Sequence, residues 1–327
     1  MTPASPRRRT LLAAAALASF VLCGPAAAQA YPGKPIKLIA GSAPGGAVDI
    51  IACAVGQQIA SSLGQSVIVE NRPGAGTNIA MRALIDSPAD GHMLMLTANS
   101  IAANPSLYQP APFDPARDVT PISLVGRAPL VIAANAQTGP ESLARLISVS
   151  KAQPASVTCG SPGNGATPHL AMELFARAAA IQLTPVPYKG GAPAIHDVLA
   201  GHVRAVAVNA LEVQPHVKSG RLRVLAVLSP SRTPIFPDTP TIAVSGFPGF
   251  EASVRYGFIG PAGLPVPVVA QLHAAVQKAL AVPEVRDRLV NAGGEVLPGP
   301  TERLTALIAS ERTRCDALIR EARIEPD

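Results

Sequence analysis

The sequence predicts an α/β protein of parallel sheets covered by helices. Three observations carry that class. Short apolar runs of strand length alternate with stretches of helical periodicity over short connections, as in βαβ units. Glycine-rich turns fall where strands end and helices begin, which is where open α/β sheets bind ligands. Hydrophobic residues make up 48% of the chain and charged residues 15%, a balance that excludes intrinsic disorder. The length of 327 residues suits two domains of ~100–200 residues, each able to bury a core without disulfide staples.

The first thirty residues read as an address rather than as structure. Arg7, Arg8 and Arg9 form a basic start, residues 11–22 are apolar apart from Ser19, and Ala28-Gln29-Ala30 supplies small residues at a cleavage site. This is the pattern of a secretory signal peptide cleaved between Ala30 and Tyr31. The apolar run is shorter than the ~20 residues that a membrane-spanning helix needs. Arg8-Arg9-Thr10-Leu11-Leu12 also resembles a twin-arginine signal, so both that route and the Sec route stay open. Leu22 is too large for the small residue that usually precedes a lipidated cysteine such as Cys23.

In the mature chain, residues 36–40 form a strand and a helix follows from about 46 to 63. Residues 66–70 are a second strand, 71–76 a tight loop and 78–86 a helix. Residues 93–96 are a third strand, and 119–125 and 129–134 are further extended runs. A helix over 141–152, a strand over 156–159 and a helix over 167–179 come next. Residues 183–188 are a strand and 192–200 a helix. Residues 205–208 and 222–228 are buried-type strands, and 267–280 and 301–322 are long amphipathic helices.

Two glycine-rich loops stand out. Gly41-Ser42-Ala43-Pro44-Gly45-Gly46-Ala47-Val48-Asp49 follows a strand and opens a helix. Glycines let backbone N–H groups approach a ligand, and the helix N-terminus adds free donors and partial positive charge. Together these suit a carboxylate or phosphate. Asp49 either complements the helix dipole or meets a polar group of the ligand. The second loop is Gly160-Ser161-Pro162-Gly163-Asn164-Gly165-Ala166-Thr167-Pro168-His169, again between strand and helix. Thr167 is placed as an N-cap with Pro168 at the first helical position, and its hydroxyl serves either the cap or a ligand. His169 faces either the core or the cleft. Two such loops suggest one anion site on each of two lobes, as a diacid clamped between them would need.

Other functions find less support. Losing the three leader arginines takes the net charge from +6 to +3, and no basic run of nucleic-acid type follows. Aromatic residues are 3% with no Trp, so stacking platforms are scarce. Neither loop is a nucleotide fingerprint, and G-x-S-x-G and H-E-x-x-H are absent. The histidines have no metal-pair spacing, so neither a metal nor a cofactor is expected. Cys53, Cys159 and Cys315 read as small buried hydrophobes, with a Cys53–Cys159 bridge as an alternative. Cys159 and His169 share a loop and allow a thiol–imidazole reading, that of an exported hydrolase.

An ordered series of short segments resembles a known family. It includes Pro44-Gly45-Gly46 with Asp49, Val69-Glu70-Asn71-Arg72-Pro73-Gly74-Ala75-Gly76, and Asn104-Pro105-Ser106-Leu107-Tyr108. It continues through Gly160-Ser161 to His169-Leu170, Val186-Pro187-Tyr188-Lys189-Gly190, Pro215-His216-Val217-Lys218-Ser219-Gly220, and Pro237-Asp238-Thr239-Pro240-Thr241. The chain is similar to solute-binding proteins of tripartite tricarboxylate transporters, the Bug family of Bordetella and its relatives. The resemblance implies two Rossmann-like lobes of the periplasmic-binding-protein, or flytrap, type, joined by two crossover segments. One lobe would take residues 31–130 plus 257–327, and the other 131–256. It implies a periplasmic monomer that is not an enzyme. Such a protein would capture a small organic acid (a di- or tricarboxylate, an aromatic carboxylate or an acidic amino acid) between its lobes and deliver it to a two-component membrane permease, or carry it to a sensor.

The implied ligand set comprises Ser42, Pro44, Gly45, Gly46 and Asp49 of the first loop, and Ser161, Gly163, Asn164, Gly165, Ala166, Thr167 and His169 of the second. Asn99 and Ser100, Tyr188, and Asn209 complete it. An amino-acid ligand would need an acid for its ammonium, and only Asp49 and Glu212 stand near these loops. The chain departs from the family at several points. Cys53 stands where Arg is frequent, Ala166 for Ser, Arg204 for Asp, and Arg255 and Cys315 for Trp. Arg255 would lie at the cleft mouth or on the solvated surface.

Overall fold

A computed structural model describes residues 31–229, 231–291, 294–322 and 324. The expected signal segment, residues 1–30, lies outside the described residues. In chain order these form β1 (Ile36–Ala40), α1 (Ala47–Leu63), β2 (Val67–Asn71), α2 (Asn78–Ile85), β3 (Met93–Thr97), α3 (Ser100–Leu107), α4 (Pro115–Asp118) and β4 (Val119–Asn135). Then come α5 (Leu143–Ala152), β5 (Thr158–Ser161), α6 (Thr167–Ala178), β6 (Thr184–Pro187), α7 (Gly191–Ala200), β7 (Ala205–Asn209), α8 (Ala210–Lys218) and β8 (Leu222–Val227). The last elements are β9 (Ser253–Pro261), α9 (Val266–Ala281), α10 (Pro283–Asn291), β10 (Glu295–Val296) and α11 (Thr301–Ala322). No helix among them is long and apolar enough to cross a membrane.

The strands join in the order β2-β1-β3-β9-β4-β7-β5-β6, with β8 and β10 also on β4. β1 lies parallel to β2 and β3, and β5 parallel to β6 and β7, as the alternation predicts. Every residue of β7 is buried, as in a strand covered on both faces. The middle of the sheet corrects the expectation of parallel strands. There β9 runs against β3 and β4, and β4 runs against β7 and β8.

The two extended runs expected over 119–134 are one strand of 17 residues. Pro121 and Pro129 look like breaks in the sequence. Pro121 instead borders a register shift, the kind of irregularity that accommodates a missing N–H. Up to Pro129, β4 pairs with β9; from Leu130 it pairs with β7, and from Val131 with β8. A single strand thus serves two lobes.

Each lobe has its own core. Ile39, Met81, Leu84, Met95, Phe113, Leu124, Ile259 and Leu304 fill the first. Val131, Ile195, Val198, Val206, Val208, Leu222 and Val227 fill the second. Full burial of such a side chain is worth ~1.5–3 kcal/mol. A third apolar cluster joins Ala103 and Leu107 of α3, Leu170 of α6, and Cys315 and Ile319 of α11. Cys315 therefore packs as a small hydrophobe. Among the described residues Cys53 and Cys159 are not joined, so the alternative bridge does not form, and Cys53 is exposed on α1 rather than a buried hydrophobe.

Candidate functional site

The first glycine loop runs from the end of β1 to the start of α1. Gly46 caps α1 with no side chain of its own, and the first N–H of the helix is taken from outside the loop, by Glu212 of α8 at 3.0 Å. Asp49 turns back on its own loop. One carboxylate oxygen accepts the Gly45 N–H at 2.8 Å, and the other accepts Asn71 Nδ2 at 2.9 Å. Asn71 also donates to the Ser42 carbonyl at 3.0 Å, so the end of β2 holds the loop in shape. Pro44 and Gly45 remain exposed. Ser42 Oγ is buried with no hydrogen-bond partner.

The second glycine loop runs from β5 to α6. Ala166, not Thr167, is the N-cap: its ψ of 147° is extended, and Thr167 begins the helix with Pro168 next. The cap position here is a residue with no hydroxyl, so this helix start is open. His169 Nδ1 accepts the Gly165 N–H at 3.3 Å, and its other nitrogen faces Glu173 at 3.9 Å. The imidazole therefore braces the loop backbone from behind. Ser161 is 2% exposed and its Oγ has no partner. Gly165 must be glycine: its φ is +71°, and an added Cβ would lie 2.3 Å from Leu107 Cδ2 of α3.

Both loops meet the turn between β6 and α7. The Ala43 N–H donates to the Lys189 carbonyl at 2.9 Å, and the Tyr188 N–H donates to the Ser161 carbonyl at 3.0 Å. The backbone of Tyr188 thus belongs to the site, but its side chain turns elsewhere. The hydroxyl donates to Asp197 at 2.6 Å, and burial with that neighbouring carboxylate pushes the phenol up to about 12.

The remaining candidates divide. Ser100 Oγ accepts Thr77 Oγ1 at 3.0 Å. Asn99 points toward the start of β9: Nδ2 donates to Glu311 of α11 at 3.0 Å, and Oδ1 accepts the Arg255 N–H at 2.8 Å. Arg255 occupies neither the cleft mouth nor open surface. Its guanidinium pairs with Glu311 at 3.0 Å, and Arg314 joins the same carboxylate at 3.0 Å. Asn209 caps α8, and its Oδ1 accepts the buried Tyr256 hydroxyl at 2.8 Å.

Two residues outside the expected ligand set lie against these loops. Asn104 of α3 donates to the Gly76 carbonyl at 2.7 Å and to Asn78 at 2.8 Å, while its buried Oδ1 lacks a partner. An added Cβ on Gly165 would come within 3.3 Å of that oxygen, so it lies beside the second loop. Glu212, expected only as a counter-charge, reaches across the cleft from α8. One oxygen accepts the Ala47 N–H of α1 at 3.0 Å, and the other accepts the Asn209 N–H at 3.0 Å. Burial raises its carboxyl above the ordinary range, although these N–H donors oppose the rise. The Asn-x-x-Glu spacing at a helix start is the sequence signal of such a reach-back.

The chemistry offered is backbone donors and neutral hydroxyls. Cys159 supplies no nucleophile: burial pushes its thiol up to about 12, so it stays protonated. The neighbouring His169 is committed to Gly165. Among the described residues, no group of three or more His, Cys, Asp and Glu side chains is placed to hold a metal ion.

Comparison with known proteins bears on this geometry. The family described as tripartite tricarboxylate transporter family receptor matches residues 51–324. BugT of Bordetella pertussis is 34% identical over 307 residues, 93% of this chain and 94% of that protein. A protein from the tcbD-tcbE intergenic region of Pseudomonas sp. strain P51 is 34% identical over 97% of this chain and 95% of its own length. The solved periplasmic binding protein BugD superposes with a TM-score of 0.87 at 31% identity, covering 91% of this chain and all of that one. Rpa4515 of R. palustris, solved with adipate, gives 0.87 at 30% identity over 91% of this chain and 100% of its own. MatC from Rhodopseudomonas palustris, solved with malate, gives 0.85 at 27% over 88% and 100%.

Proposed function

The chain belongs to the tripartite tricarboxylate transporter receptor family, and on that premise we propose that it captures a small organic acid between its lobes and hands it to a two-component membrane permease. This is a family of periplasmic solute-binding receptors, and the chain is a receptor rather than an enzyme. The observation that carries the ligand class is the meeting of the two glycine loops, each opening a helix, on one turn, with a buried unpartnered hydroxyl on each side of it; the start of α6 has no side-chain cap, while the first N–H of α1 is taken by Glu212. Such donors match a carboxylate. Relatives solved with malate and with adipate support that class.

In this reading the carboxylate lies between Ser42–Gly46 and Ser161–Thr167. Ser42 and Ser161 supply hydroxyls and Gly163 a backbone N–H, while the N–H groups of Gly45, Gly46, Gly165 and Ala166 are spent within the loops and hold their shape. Asp49, His169 and Tyr188 hold the loops, and Ser100, Asn104 and Asn209 line the walls. Lobe boundaries near residues 130 and 257 follow the change of partner on β4 and the course of β9. Residues 1–30 direct export and are removed after Ala30.

A thermal-shift screen of the mature chain against mono-, di- and tricarboxylates and aromatic acids tests this reading. A ligand at 100 times its Kd adds ~2.7 kcal/mol, which in a chain of this size raises Tm by roughly 5 °C or more. Folded protein that stays silent across the panel would contradict the reading.

A further inference from the structure

Glu212 is the feature of the cleft that calls for explanation. It is 7% exposed, and no cation pairs with it among the described residues. Its carboxylate is held instead by two helix starts, one in each lobe. Oε1 takes the first N–H of α1, and Oε2 takes the Asn209 N–H at 3.0 Å and Nδ2 at 3.4 Å. Tyr256 of β9 is the titratable neighbour, and it reaches Asn209 rather than the acid itself. Gly191 at the start of α7 closes over the group: an added Cβ there would lie 2.1 Å from Oε1. The protein's own anion thus occupies the position at α1 that the glycine loop is shaped to offer.

Resting on the receptor reading above, we infer that Glu212 sets the charge class of the ligand: its carboxylate fills the α1 end of the cleft, so the protein admits acids with one carboxylate and discriminates against diacids. The groups left without partners, Ser42 Oγ and Ser161 Oγ, are neutral, and the open start of α6 serves one anion. A second ligand carboxylate brought toward α1 meets a like charge in a buried space, where neither is screened. A ligand ammonium finds little room at Glu212: both oxygens already accept N–H groups, and Gly191 closes over Oε1.

Calorimetry on the mature chain with butyrate against succinate, and hexanoate against adipate, tests the inference. Wild type should bind each monoacid about tenfold or more tightly than its diacid. Glu212→Ser should erase or reverse that preference by admitting the diacid. Glu212→Gln keeps the shape without the charge and should also gain diacid affinity, which serves if the serine variant fails to fold. A wild-type preference for the diacids overturns the inference, as does diacid affinity that does not rise in either variant. So does tighter binding of 4-aminobutyrate than of butyrate, lost in both variants. No heat with any of the four acids, from folded wild type, overturns the carboxylate-receptor reading itself and the inference with it.

Discussion

Replacing Gly165 by alanine should force the second glycine loop away from α3. Gly165 sits at φ +71°, and the new methyl would lie 2.3 Å from Leu107 Cδ2. Two costs arise. A left-handed backbone costs an L residue ~1–2 kcal/mol. Ordinary contact begins near 3.4 Å, so the loop or Leu107 must also yield by about 1 Å in a packed region, and such overpacking costs ~1–3 kcal/mol. Gly165→Ala should therefore lose ~2–5 kcal/mol of unfolding free energy in a urea titration. Leu107→Ala removes the obstructing group, at its own cost as a buried leucine. In the double variant only the backbone cost of the alanine remains. The double-mutant cycle should return ~1–3 kcal/mol of coupling in favour of the pair. Costs that simply add, within ~0.5 kcal/mol, would mean that the loop does not approach α3 as described. The displaced loop carries Ser161, so carboxylate affinity should fall in Gly165→Ala as well.

Other outcomes follow from the same contacts. Glu311 is nearly buried and holds Arg255, Arg314 and Asn99, so Glu311→Ala should cost ~3 kcal/mol by stranding the Arg255 charge. Arg314 is half exposed, and Arg314→Ala should cost under ~1 kcal/mol; equal costs in chemical denaturation would refute this reading of the cluster. Burial pushes the Cys159 and Cys315 thiols up to about 12 and about 11, while Cys53 is exposed. A thiol reagent at pH 8 should therefore titrate one fast equivalent in native protein, lost in Cys53→Ser, and two more only on unfolding. Glu212 holds its proton more tightly folded than unfolded. Its contribution to stability is full below the ordinary Glu pKa of about 4.3 and declines as pH rises through the raised value. Denaturation midpoints should show a pH-dependent gap between wild type and Glu212→Gln; a gap constant with pH would contradict the burial argument.

What the sequence makes legible is local. The strand–glycine–helix punctuation locates both loops, and strand lengths and helical periodicity give most of the elements, because these signals need only neighbours along the chain; the division into two lobes is what the family resemblance implies. What it conceals is decided by partners far away. β4 reads as two runs because its prolines look like breaks, and only the register with β9 shows where Pro121 is tolerated. β9 itself lacks clean alternation, with Gly257 and Gly260 inside it, and is absent from the sequence reading. Asn99, Tyr188 and Arg255 look like cleft residues by position, yet Glu311 and Asp197 claim them. Glu212 shows the reverse. The local spacing explains its bond to Asn209, but not its reach to Ala47, 165 residues away.

The central claim is that both lobes share one carboxylate. The most direct measurement is a crystal structure of the mature chain with the acid that stabilises it most in the thermal screen. The account predicts the carboxylate between the two glycine loops, within hydrogen-bond distance of Ser42–Gly46 and of Ser161–Thr167 together. A carboxylate seated on one lobe alone, or outside the cleft, would contradict it.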